Sequence, residues 1–130
     1  MVIDSSAVIA ILLGEPEAAR LAHAIAAAPV RLMSSFSALE CALVIEAKKG
    51  EAGGRELDLL LLRAGVEISA FDADQQEIAR DAWRRFGKGR HPAGLNIGDC
   101  CAYALTVAAH EKLLFKGTDF TQTDIPAVLY

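Results

Sequence analysis

Val2-Ile3-Asp4-Ser5-Ser6-Ala7-Val8-Ile9-Ala10-Ile11-Leu12-Leu13 sets the pattern that the rest of the chain repeats. Met1–Asp4 reads as a short buried strand that ends on an acid, and Ser5–Leu13 reads as a helix. Gly14-Glu15-Pro16 breaks that helix, and Pro16 is placed to start the next one, to about Ala27. Downstream the alternation continues. Val30–Ser34 is a strand candidate, and Ser35 or Ser37 can cap a helix to about Lys49, where Gly50 stops it. After Gly53-Gly54, Arg55–Arg63 is helical. Val66–Ala70 reads as a strand, and Asp72 caps a long helix ending near Phe86. Gly98–His110 is apolar almost all round, so a buried helix is expected. Leu113–Phe115 is a strand and Ala127–Leu129 a final short one. Short apolar strands alternating with helices imply a parallel sheet covered on both faces, a three-layer α/β/α sandwich.

The 130 residues suit one domain, 1–130, without a linker or internal repeat. A hydrophobic fraction of 53% against 23% charged excludes disorder. The longest aliphatic run, Ala7–Leu13, falls well short of the roughly 18 residues of a membrane span. Asp4 inside the first apolar stretch, with no basic residues before it, argues against a signal peptide. Cys41, Cys100 and Cys101 are odd in number and form no CxxC pair, which fits a reducing compartment. A cytoplasmic domain is expected. Its apolar surplus, a mean hydropathy of +0.30, suggests a homodimer, with Glu17–Ala27 and Arg55–Arg63 as the helices to carry the interface.

In parallel sheets, ligands bind beyond the carboxyl ends of the strands, so acids placed there are informative. Asp4 ends the first strand. Asp119 follows Leu113–Phe115 across Lys116-Gly117. Asp99 opens the buried helix and can face the same rim. Glu40 falls at helical spacing within the apolar stripe Phe36, Leu43, Val44 and Ala47. Each acid has a plain reading alone: a helix cap for Asp4 or Asp99, a turn residue for Asp119, a stripe edge for Glu40. Together they suggest one site, because crowded carboxylates need a counter-charge. Hard oxygen ligands select Mg²⁺ or Mn²⁺. Such an ion suits phosphodiester hydrolysis with no histidine base, and His23, His91 and His110 form no catalytic pattern. The net charge is −4, so without these four acids the remainder is neutral.

Arg80–His91 concentrates Arg80, Arg84, Arg85, Lys88 and Arg90 against Asp81 alone. It reads either as a solvated helix face or as a phosphate-binding edge. Trp83 and Phe86 within it are read as core rather than as base-stacking platforms. Arg85, Lys88 and Arg90 are the candidate phosphate contacts, with Lys116 a further one.

An ordered series of segments then resembles the PIN-domain ribonucleases of the VapC toxin type. It runs through Val2-Ile3-Asp4-Ser5-Ser6-Ala7, Ser37-Ala38-Leu39-Glu40, Phe86-Gly87-Lys88-Gly89-Arg90-His91-Pro92, Gly98-Asp99-Cys100 and Lys116-Gly117-Thr118-Asp119-Phe120. The resemblance implies a metal-dependent endoribonuclease, with Asp4 and Asp99 the principal metal ligands and Glu40 and Asp119 a second pair. Ser6 resembles a hydroxyl that supports the first acid. Thr118 stands where the family often has an acid or amide, and Asp124 is a weak candidate to assist. The resemblance also implies homodimerisation and a VapB-type antitoxin. The alternative is a PIN-like domain that binds a partner without catalysis. Two phosphotransfer readings fail: a dehalogenase-type phosphatase wants an Asp at position 6, where Ser6 stands, and a receiver domain wants adjacent acids near Asp4.

Overall fold

The computed structural model describes residues 1–130. Its elements run β1 (Val2–Ile3), α1 (Ser5–Leu12), α2 (Ala18–Ala27), β2 (Leu32–Ser34), α3 (Ser35–Arg63), β3 (Glu67–Ser69), α4 (Ala73–Phe86), α5 (Ile97–Ala109) and β4 (Leu113–Leu114). All four strands are parallel, in the order β3-β2-β1-β4. Successive side chains of a strand point to opposite faces, and each central strand feeds both sides. Val2 and Leu113 pack with Ala79, Ala82, Tyr103 and Leu105 of α4 and α5. Ile3, Met33 and Leu114 pack with Val8, Leu21, Ile25, Cys41 and Leu57 of α1, α2 and α3. The α/β/α sandwich expected from the sequence is the observed fold.

Three local expectations change. Ser34 rather than Ser35 or Ser37 caps α3, accepting from the Phe36 N–H at 3.3 Å, while the Ser35 hydroxyl accepts from Phe71 N–H at 3.1 Å. Helical geometry resumes at residue 51, so Gly53 and Gly54 lie inside a helix; only Gly50, at φ 67°, breaks it. Ala127–Leu129 is not a strand. It makes one parallel bridge to Leu113, through Leu113 N–H to Pro126 O and Val128 N–H to Leu113 O. Pro126 has no N–H to extend that ladder.

The buried face of α3 is Ser37, Cys41 and Ile45. The stripe that held Glu40 therefore lies outside the core, with Leu43 63% exposed. α5 is buried continuously from Gly98 to Thr106, as its composition predicts. No helix is long and apolar enough to cross a membrane.

Candidate active site

From β1 the chain moves one way across the sheet, to β2 and β3, then returns to the other side of β1 as β4. In open parallel sheets such a reversal marks a crevice at the carboxyl ends of the flanking strands, here β1 and β4. Asp4 leaves β1 there, and residues 116–119 leave β4 beside it.

Asp4 is buried and serves as the N-cap of α1. One of its oxygens accepts from Ser6 N–H at 3.0 Å and from the Ser6 hydroxyl at 2.6 Å. The Ser6 hydroxyl in turn accepts from the Lys116 N–H at 3.0 Å, which ties the β4 exit to the first acid. Asp99 is the third residue of α5 and forms a capping box with Asn96. Asn96 N–H donates to the Asp99 carboxylate at 2.9 Å, and Asp99 N–H donates to the Asn96 side-chain oxygen at 2.8 Å. Glu40, half-buried, accepts from the Ser5 hydroxyl at 2.7 Å. Its carboxylate covers Gly98: a Cβ there would stand 2.5 Å from Oε2. A side chain at position 98 would push the carboxylate aside, so the glycine lets Glu40 take this position. Asp119 is on the exposed loop after β4.

These placements make one electrostatic unit. Burial raises the Asp4 pKa against hydrogen bonds from Ser6, and the charge of Glu40 adds to the rise. Burial likewise pushes Asp99 up to about 6, against the Asn96 N–H, with the charges of Asp4, Asp119 and Glu40 contributing. None of the four acids pairs with a Lys or Arg. No three Asp, Glu, His or Cys side chains stand together as a ready-made metal site. The donor chemistry nevertheless fits a hard divalent cation: uncompensated carboxylates, two of them buried, with no thiolate or imidazole among them. Cys41, below Ser5, is an inert thiol, pushed up by burial and by the charges of Asp4 and Glu40.

The supporting and basic candidates divide. Ser6 supports Asp4 directly. The Thr118 hydroxyl contacts no acid; its carbonyl accepts from Thr121. Arg85 is bound to Asp124 at 2.7 Å and donates to the Tyr103 hydroxyl at 3.3 Å. Asp124 is thereby held away from the metal role allowed for it. Burial works against its charge, but Tyr103 and Arg85 together lower its pKa. Lys116 Nζ pairs with Glu15 and, at 3.6 Å, with Glu17. Lys88 is unpaired and exposed, and Arg90 lies over the Trp83 ring, 4.4 Å from its centre. Trp83 is 43% exposed, so its reading as core is corrected; Phe86 is half-buried against Tyr103 and His91. Ser5 and Asn96 hydrogen-bond to Glu40 and Asp99, and Gly98 makes room for Glu40, contacts that their residue types alone did not reveal. Only Asn96 had a readable signal, the N-x-x-D spacing of a capping box.

Comparison with known proteins agrees with this geometry. The PIN domain family matches residues 1–126. A Ribonuclease VapC of Mycolicibacterium smegmatis is 59% identical over 98% of this chain and 99% of its own length. Ribonuclease VapC30 of Mycobacterium tuberculosis is 57% identical, covering 98% of each. Among solved structures, Mycobacterium tuberculosis VapC20, described as a Sarcin-Ricin loop cleaving toxin, superposes with a TM-score of 0.79 at 17% identity over 98% of this chain and 97% of its own. A toxin–antitoxin complex from Klebsiella pneumoniae gives 0.73 at 18% identity, covering 99% and 97%. With a family match along nearly its whole length and relatives of that identity, the chain belongs to the PIN-domain family, among the VapC ribonucleases.

Proposed function

We propose that Asp4, Glu40, Asp99 and Asp119 hold a divalent cation, Mg²⁺ or Mn²⁺, and that the site hydrolyses RNA phosphodiesters as the toxin of a toxin–antitoxin pair. One observation carries the reading: two buried carboxylates, Asp4 and Asp99, feel the charges of Glu40 and, for Asp99, of Asp119, and none of the four has a cationic partner. Unpaired buried charge is costly, and a bound cation removes that cost. Such an ion, when bound, supplies an activated water and neutralises charge on the scissile phosphate. Ser6, Asn96 and Ser5 orient three of the acids by donating to them before any ligand arrives. Lys88 and Arg90 are the phosphate contacts of this reading, since Arg85 and Lys116 are engaged with acids.

A VapB-type antitoxin would cover the acidic rim and insert an Arg or Lys near Asp4, Asp99 and Asp119, replacing the cation's charge. Three free, buried cysteines accord with action in the reducing cytoplasm. The test is cleavage of a short single-stranded RNA. Activity with Mg²⁺ is expected to vanish in EDTA and return with added Mg²⁺ or Mn²⁺. Cleavage that persists in EDTA rejects the metal role, and absence of cleavage under every condition favours a non-catalytic partner-binding domain.

A further inference from the structure

Beside the acids lies a cavity of about 470 Å³ between α4 and the start of α5. That is within the roughly 300–1,000 Å³ of small-ligand sites. Gln76, Arg80 and Trp83 stand on one face of α4 at i, i+4 and i+7 and form one wall; Phe36 and Ile97 form part of the other. Ile97 and Cys100, which also line it, flank Asp99 in the chain. Phe36 lines both this cavity and a shallow hollow on α3 that Glu40 also lines, and Asn96, another lining residue, is hydrogen-bonded to Asp99.

Three features describe what the cavity takes. Its floor is apolar and aromatic. No Asp or Glu lines it, whereas Arg80 and Lys88 do, and neither is ion-paired. Trp83 is fixed in place: Arg90 lies over its ring, and a Cβ at Gly87 would stand 2.5 Å from its Cδ1. A held, half-exposed indole beside unpaired cations is a stacking platform for a base whose phosphates the cations meet. Gln76 and Asn96 also line the cavity and carry polar atoms that a base edge can meet.

We propose that this cavity binds an unpaired nucleobase of the RNA next to the scissile phosphate, with Trp83 as its stacking platform and Lys88 and Arg80 on the adjoining phosphates. The proposal rests on RNA being the substrate. Trp83 is the only tryptophan in the chain, so its fluorescence reports on this cavity alone.

The experiment uses the full chain carrying Asp99→Asn, to suppress cleavage, in Mg²⁺. The probes are a tetra-adenosine ribonucleotide and a tetramer of the same phosphate count made abasic. Tetra-adenosine is expected to quench the fluorescence and bind about 5- to 150-fold more tightly than the abasic chain, the range that one stacked base contributes. Adding Trp83→Phe keeps most of that preference. Trp83→Ala abolishes it and leaves the salt dependence of binding unchanged, which general damage to the fold would not do. Equal affinity for both probes without quenching overturns the base pocket and leaves the ribonuclease reading standing. Binding of neither probe overturns both. Quenching that follows an added antitoxin or rising protein concentration, with none from RNA, assigns the cavity to a protein and overturns the proposal.

Discussion

At the scale of single residues, the site acids differ in how firmly they are placed and in how they titrate. Asp99 has a folded pKa of about 6 against an ordinary 3.8. The folded chain therefore binds a proton that the unfolded chain has released between about pH 4 and 6. By linkage, stability of the metal-free protein falls as pH rises through that window, and the full penalty remains above it. Asp99→Asn keeps an oxygen for the Asn96 N–H but cannot titrate. Its melting temperature in EDTA should exceed the wild type's by an amount that grows from pH 4 to 6 and is flat above 7. Its RNA cleavage should fall at least about 100-fold, since a metal site contributes several kcal/mol to the barrier. A variant that cleaves normally, or melts with the wild type's pH slope, contradicts the assignment. The placements of Asp4 and Asp99 were legible because a strand end and a buried helix start are local features. Asp81 is a partner of Arg85 at helical i, i+4 spacing, but the long-range partners of Arg85 and Lys116 were not legible: Asp124 and Glu15 are 39 and 101 residues away, and no local pattern encodes them.

At the scale of elements, α3 shows how one residue type takes opposite roles. Gly50, at φ 67°, adopts a conformation that side chains resist, and it breaks the helix as the sequence suggests. Gly53 and Gly54 instead continue the helix and are buried. A Cβ on Gly53 would stand 2.7 Å from Ile45 Cγ2 and from Lys49 Cβ, and Ile45 is fully buried. Close approach is the reason for that glycine, and it is visible only once the second half of α3 packs on the first. Gly53→Ala should destabilise the protein by about 1–3 kcal/mol, as overpacking does. Gly54→Ala meets chiefly the flexible end of Glu46 and should cost less. Urea midpoints with unchanged slopes measure both; a harmless Gly53→Ala would mean that the two segments can separate without penalty. Short strands at regular spacing were readable throughout, whereas the last was not: Ala127 pairs once and Pro126 ends the ladder.

At the scale of the whole molecule, apolar and charged surfaces are both unevenly distributed. α2 exposes no large apolar side chain, so it does not carry the surplus expected of it. Leu39, Leu43, Leu59 and Leu62 of α3 and Ile97 of α5 do, at 47–77% exposure. A homodimer through α3 is the outcome expected from such a face. Light scattering at micromolar concentration should give twice 13.8 kDa, and the monomer mass would refute it. Charge is divided between a crevice of four uncompensated acids and the basic end of α4 with its loop, against a net −4. A polyanion approaching the acids needs that basic edge. Arg85 is occupied by Asp124, whereas Lys88 and Arg90 in the loop after α4 make no ion pair, and Arg90 rests only on the Trp83 ring. Each phosphate neutralised contributes about 0.7 to the salt slope on a single strand. Lys88→Ala with Arg90→Ala should therefore weaken binding to every RNA sequence alike and flatten the slope by about 1.4. Metal affinity should be unchanged, because neither side chain contacts an acid of the crevice. Binding titrations from low to moderate salt, paired with Mn²⁺ titrations, decide the matter. Lost metal binding at an unaltered slope would show that this segment supports the crevice rather than the RNA.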